Sequence, residues 1–251
     1  MAPLTMRILT LNCHKGFSWF NRRFILHELR DALREAAPDI AFLQEVVGDN
    51  IRLAKRHRNW PDKTHYEFLA EDHWTDFYYG KNKSSPRGHH GNAVLSRYPI
   101  LSSQAVNIST NRVEKRGFVH CEILMPDSAI KLHCICVHLS LLSSSRRKQC
   151  RMLIDYVEKN IPTDSPLIIA GDFNDWRLKA KELIVEPLKL TEAWEADSAV
   201  LPKTFPARMP LLKLDRIYFR GLKIKSITPC SGGNWSELSD HIGLMAEVTP
   251  I

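Results

Sequence analysis

Five stretches of this chain end an apolar run on a cluster of polar side chains. They are LTLNCH (Asn12, His14), FLQE (Glu45), CVHL (His138), IIAGDFND (Asp172, Asn174, Asp175) and LDRIY (Asp215). A sixth, SDHIGL, sets Asp240 and His241 on a loop before the last strand. Each alone has an ordinary reading: Glu45 a solvated strand end, His138 a hydrogen-bonded core histidine, Asp215-Arg216 a surface ion pair. Together they supply hard oxygen donors, amides and imidazoles, the groups that activate water and neutralise charge developing on a phosphate. GDFN is the most informative piece. Asp172 and Asn174 alternate onto one side while Phe173 turns inward, and Gly171 leaves the backbone open to a ligand. Ser239-Asp240-His241 puts an oxygen donor beside a titratable base. A serine-hydrolase triad is excluded, because no G-x-S-x-G occurs and triad members are rarely sequence neighbours. His89 and His90 are expected in a loop; no further Cys or His stands at zinc-ligand spacing.

These clusters need strands to deliver them. MRILTLN (Met6 to Asn12) reads as a strand, followed by a helix with Asn21 as N-cap and Leu26, Leu29, Leu33 and Ala36 as its buried stripe. Pro38 stops that helix, and DIAFLQE is a strand ending at Glu45. From Tyr66 to Leu124 the reading is mostly strand: HYEFLA, DFYYG, GNAVLSRY, a stretch around Ser103 to Ile108, and GFVHCEIL. KLHCICVHL leads into a helix from about Ser144 to Asn160 and then into PLIIAGDFND. A short helix near Leu178 to Ile184 and the strands LDRIYF, LKIKSIT and GLMAEV complete the chain. Polar residues at the carboxyl ends of β-α-β strands mark where open α/β sheets hold ligands. One domain over residues 1–251, with two mixed sheets and flanking helices, is expected.

The composition, 44% hydrophobic and 25% charged, is that of an ordinary soluble globular protein. Lys and Arg total 35 against 28 Asp and Glu, a formal charge of +7. The site is acidic, so the cations lie elsewhere and favour a polyanion: nucleic acid, an anionic membrane surface or a phosphorylated substrate. No CxxC pair occurs among the six cysteines, which read as reduced core residues of a cytoplasmic protein. The first residues lack a signal peptide's apolar run, and no stretch is long and apolar enough to span a bilayer.

The set Asn12, Glu45, His138, Asp172-Phe173-Asn174, Asp215 and Ser239-Asp240-His241 resembles the endonuclease/exonuclease/phosphatase superfamily, in order and from Met6 to Val248. NRRFILHELR, HHGNAVLSRYPI, GDFNDWR and LDRIYF are closer still to its bacterial YbhP-type branch. The resemblance implies a deoxyribonuclease I-like, four-layer α/β/β/α sandwich and a Mg²⁺- or Mn²⁺-dependent phosphodiester hydrolase. It implies Glu45, Asn12 and Asp240 as metal ligands, and Asp172 as the residue that orients or deprotonates the attacking water. Asn174 would donate to the transition state, and His241, oriented by Asp215, would touch the phosphate. His138 is the implied acid for the leaving oxygen. His14 stands where apurinic endonucleases carry Asp, which weakens a second-metal site; it is a softer ligand, a phosphate contact or a structural residue. Arg116 is a candidate phosphate clamp or an exposed turn arginine, and Asn92 a candidate substrate contact. A monomeric nuclease is the leading expectation, with Arg22, Arg23, Arg112, Lys115, Arg177, Lys179 and Lys181 tracking the backbone. The alternative is a phospholipid or small-molecule phosphodiesterase at the membrane periphery, with Trp19, Phe20, Trp176, Phe205 and Trp235 on loops at the interface. A non-catalytic binding protein on the same fold is the remote alternative.

Overall fold

Two β-α-β units of the same plan lie at the centre of the fold. Strand β1 (Met6–Asn12), helix α1 (Leu26–Ala36) and β2 (Ile40–Asn50) form one, in which β1 and β2 pair parallel. Strand β7 (Lys131–His138), α4 (Ser143–Asn160) and β8 (Leu167–Asp172) form the other, again with parallel strands. The computed structural model describes residues 5–126, 129–197 and 200–251. Around the first unit, β3 (Asp76–Ser85), β4 (Gly88–Ser96), β11 (Leu222–Pro229) and β12 (Leu244–Pro250) complete a sheet in the order β11-β12-β1-β2-β4-β3. Around the second, β5 (Ile100–Asn107), β6 (Gly117–Leu124), β9 (Thr191–Glu192) and β10 (Asp215–Arg220) give β5-β6-β7-β8-β10-β9.

The central strands are apolar on both faces because both are covered. Ile8, Phe42 and Val94 of the first sheet meet Cys121, Cys134, Ile168 and Ile217 of the second in a shared inner core. Outside the first sheet, Leu29 and Leu33 of α1 and Phe68 of α3 (His65–Ala70) cover Leu9, Leu43 and Leu95. Outside the second, Cys150, Leu153 and Val157 of α4 cover Ile135, Val137 and Ile169. The result is the expected four-layer α/β/β/α sandwich. All six cysteines are unpaired and only Cys230 is not fully buried. No helix among the described residues is long and apolar enough to cross a membrane.

Four local expectations need correcting. HYEFLA is helix α3, not a strand: Thr64 and Glu67 form a capping box, with Thr64 donating from its N–H (3.0 Å) and hydroxyl (2.6 Å) to the Glu67 carboxylate. Asn21 does not open α1. Its backbone lies in a 3-10 turn (Trp19–Asn21), a Phe17–Phe24 bridge follows, and the helix starts at Leu26. Strand β2 continues past Glu45 to Asn50, through a register shift between Leu43 and Val46. His89 and His90 belong to β4, where Tyr79 and His89 share a 2.9 Å hydrogen bond.

Helix α3 buries His65 among Phe24 and Trp60, with ring centroids 5.8 and 4.4 Å away. Burial lowers its pKa from 6.5 to about 3. Below pH 6.5 the unfolded chain therefore takes up a proton that the folded chain refuses. The stability carried by the neutral ring is intact above 6.5 and drains away as pH falls toward 3. In denaturant titrations at pH 7 and 4.5, His65→Phe should lose less stability than the native chain, by on the order of 2 kcal/mol. Equal losses in the two proteins would show that His65 does not set the acid limit.

Candidate active site

The registers of the two parallel pairs bring the polar strand ends together. Asn12 stands beside Gln44, and His138 beside Asp172, which also faces Asp215 across an antiparallel pair. Beyond β10, the loop before β12 returns to β1. There the Ser239 hydroxyl donates to the Asn12 carbonyl (2.5 Å) and accepts the His241 N–H (3.2 Å).

Asp172 is the hub. One carboxylate oxygen accepts the Asn174 N–H at 2.9 Å, and the other accepts the Asn12 amide at 3.1 Å. That second oxygen lies 3.4 Å from His138 Nε2 and 3.8 Å from His241 Nε2. Burial, aided by the Asp215 charge, pushes the Asp172 carboxyl up to about 6 against the opposing pull of His241. For His241, burial works to lower the pKa, but Asp215, hydrogen-bonded to Nδ1 at 2.9 Å, and Asp172 outweigh it and raise it to about 10. The ring is an imidazolium at neutral pH. His138 goes the other way: burial and the Arg116 charge hold it well below 6.5, and neutral.

A second cluster gathers the hard oxygens. Glu45 sits where Gln44 and Glu45 together face Asn92, and this bulge gives it a left-handed backbone (φ 56°). His14 and Lys15 are also left-handed (φ 43° and 58°), and their turn touches all three expected metal ligands. The His14 N–H donates to Asn12 Oδ1 (3.1 Å), His14 Nδ1 lies 3.7 Å from Asp240, and the Lys15 ammonium bonds Glu45. Burial opposes ionisation of Glu45, yet the Lys15 ammonium bonded to it wins and holds it well below the usual carboxylate range. Asn174 is left-handed too (φ 50°), so backbone strain is concentrated at this site.

Most of the expected residues therefore converge, and three readings change. Asn92 is fully buried, its amide donating to the Gly117 (2.9 Å) and Cys136 (3.3 Å) carbonyls of the other sheet, so it ties the two sheets together. A Cβ on Gly171 would lie 2.0 Å from the Val137 carbonyl oxygen, so this glycine admits the neighbouring strand and not a ligand. Arg216 is no surface residue: it is buried and pairs with Glu192 at 3.1 Å. Arg116 lines the cleft beside Glu45 and pairs with Glu114 at 2.9 Å. Lys15 is the participant that sequence reasoning missed; its position just past Asn12-Cys13-His14 was the only available signal.

Residues 9–241 match the profile of the Endonuclease/Exonuclease/phosphatase family. The chain belongs to that family. It is a phosphoesterase by membership, and its buried Asp172, Asp215 and His241, with polar atoms within 4.8 Å of one another, form an acidic cluster of the kind found in the family's metal-assisted sites. The chain is 45% identical over 244 residues to the uncharacterized protein YbhP of Escherichia coli K12, covering 97% of this chain and 96% of that one. A family member from Bacteroides vulgatus superposes with a TM-score of 0.78 at 16% identity, over 99% of this chain and 100% of its own. A mannosyl-6-phosphatase of Bacteroides thetaiotaomicron superposes at 0.72 and 13% identity, over 97% and 99%.

Asp215→Asn keeps the shape but removes the charge that holds His241 protonated. By NMR titration, His241 should lose its proton at a pH well below 10 in this variant, and hydrolysis at pH 8 should fall at least ~10²-fold. An unmoved His241 titration would refute the pairing.

Proposed function

We propose that this phosphoesterase is a Mg²⁺- or Mn²⁺-dependent phosphodiester hydrolase. The observation that carries the reading is the facing of Asp172, poised near pH 6, and the His241 imidazolium, whose Nε2 lies 3.8 Å from it. The donor set suits a hard cation: Glu45, Asp240 and Asn12 bring oxygens and no thiolate stands among them. A cation already sits on Glu45 in the form of the Lys15 ammonium, so the position attracts positive charge. Asp215 and His241 are spent on each other, which favours Glu45, Asn12 and Asp240 as the residues that would hold the ion. When bound, it would polarise the phosphate and offset its charge.

The chain's own groups do the rest. Asp172 takes the proton of the attacking water. Asn174 spends one amide hydrogen on the Leu139 carbonyl (3.0 Å) and has a second for a phosphoryl oxygen. His241 presents a charged N–H to the phosphate and has a proton to give the leaving oxygen. His138, first expected in that last role, is held neutral, with its Nε2 3.4 Å from Asp172.

The net charge of +7 favours a polyanionic partner, nucleic acid or an anionic membrane surface. Several cations assigned to backbone tracking are engaged, however: Lys179 with Glu182 (2.8 Å), Lys181 with Glu195, and Arg23 with Glu28 (3.1 Å).

Hydrolysis of bis(p-nitrophenyl) phosphate should vanish on chelation with EDTA and return with Mg²⁺ or Mn²⁺, and Zn²⁺ should replace them poorly. Undiminished turnover after exhaustive chelation would sink the mechanism. Asp172→Asn, Asn174→Ala and His241→Ala should each cut kcat at least ~10²-fold, and a variant keeping native turnover removes that residue from the machinery.

A further inference from the structure

A cleft of about 820 Å³ opens beside Glu45, with Lys15 and His90 on its inner wall. Its mouth carries Val113, Leu141 and Leu142, which are 85%, 56% and 59% exposed. Single exposed aliphatics need no explanation, but three around one cleft mouth make a ledge that water solvates poorly. The ledge is held out by design of the loops. Asn111 accepts the Val113 and Glu114 N–H groups (3.0 and 2.7 Å). Glu114 then ties the two loops together, accepting from the Ser140 hydroxyl, the Leu141 N–H (3.3 Å) and Arg116.

The same mouth is basic. Lys83 and Lys115 line it and pair with no carboxylate among the described residues, and Arg116 Nε lacks a hydrogen-bond partner. Free cations set among exposed aliphatics complement a surface that is anionic outside and apolar just beneath. A nucleic-acid backbone would use the cations and leave the aliphatics in water.

We infer that the Val113–Leu141–Leu142 ledge docks on an anionic phospholipid bilayer, so that a lipid phosphodiester enters the cleft beside Glu45. This rests on the phosphodiesterase reading above. The reaction is hydrolysis: water's oxygen bonds phosphorus, one ester P–O bond breaks, and the proton lost by water matches the one gained by the leaving alcohol.

The test compares the full chain with Val113→Ser/Leu141→Ser/Leu142→Ser on vesicles of phosphatidylcholine alone or mixed with phosphatidylglycerol, in Mg²⁺. Co-sedimentation reads binding, and release of phosphorylated products reads hydrolysis. The native chain should prefer the phosphatidylglycerol vesicles and retain part of its binding at high salt. The triple variant should bind them at least tenfold more weakly, with turnover of bis(p-nitrophenyl) phosphate unchanged. Lys83→Glu/Lys115→Glu should erase the preference for phosphatidylglycerol. Should the triple variant misfold, Val113→Asp alone, at a side chain almost fully in solvent, must still weaken vesicle binding. A native chain that hydrolyses the soluble diester but ignores vesicles, or that cleaves DNA with the ledge variants unaffected, overturns the inference and leaves the phosphodiesterase reading standing. Vesicle binding without hydrolysis of any diester, in either metal, keeps the docking surface and overturns the reading.

Discussion

Asp172 and Asp215 place two carboxylates side by side in a buried pocket, and much of the site follows from keeping them there. Burying such charges is costly unless donors and counter-charges surround them. The His241 imidazolium lies between the two, and the Asn12 amide reaches Asp172 from the other sheet. Asn174 takes up a left-handed backbone and offers its N–H to the same carboxylate. The charge balance thus requires both sheets at once, and it yields a base that titrates near neutrality beside an acid that stays protonated.

A second layer of buried ions fixes the loops. Arg146 of α4 pairs with Asp175 at 3.4 Å, and donates to the Ser140 (2.9 Å) and Leu141 (3.1 Å) carbonyls. Asp175 also accepts the Ala180 N–H at the start of α5 (Lys179–Ile184). One arginine therefore couples the turn after β8, which carries Asn174, to the loop that displays Leu141. Site and cleft mouth share a support, so neither shifts without straining the other.

The sequence revealed the strand ends because a fully covered strand is an unbroken apolar run, and a polar residue closing it has few places to go. MRILTLN, GFVHCEIL and the end of β8 at Asp172 were legible for that reason. Helix α3 was not, since six residues barely span a helical repeat; Thr64 and Glu67 at capping-box spacing were the better signal. Glu45 was visible as a residue, but the bulge that turns it depends on its pairing with β4. Asn92 and Gly171 were read as facing a ligand because burial by a partner strand leaves no mark on composition. Lys15 was overlooked because its role exists only once Glu45, thirty residues away, is folded against it.

Strand β12 lies between β1 and β11 in the first sheet, so a strand from far along the chain is inserted as an interior one. The loop before it carries Asp240 and His241, and Ser239 closes on Asn12 across 227 residues of sequence. Chains fold from the amino terminus as they emerge from the ribosome, and pairings this distant form late. A nascent chain can pair β1 with β2 and assemble the second sheet with Asp172 and Asp215 while β12 is still missing from the other side of β1 and the imidazolium has not arrived. Asp172 and Asp215 thus meet before the segment that sets His241 between them, and a chain cut ahead of that segment would carry the two carboxylates without the imidazolium that balances them.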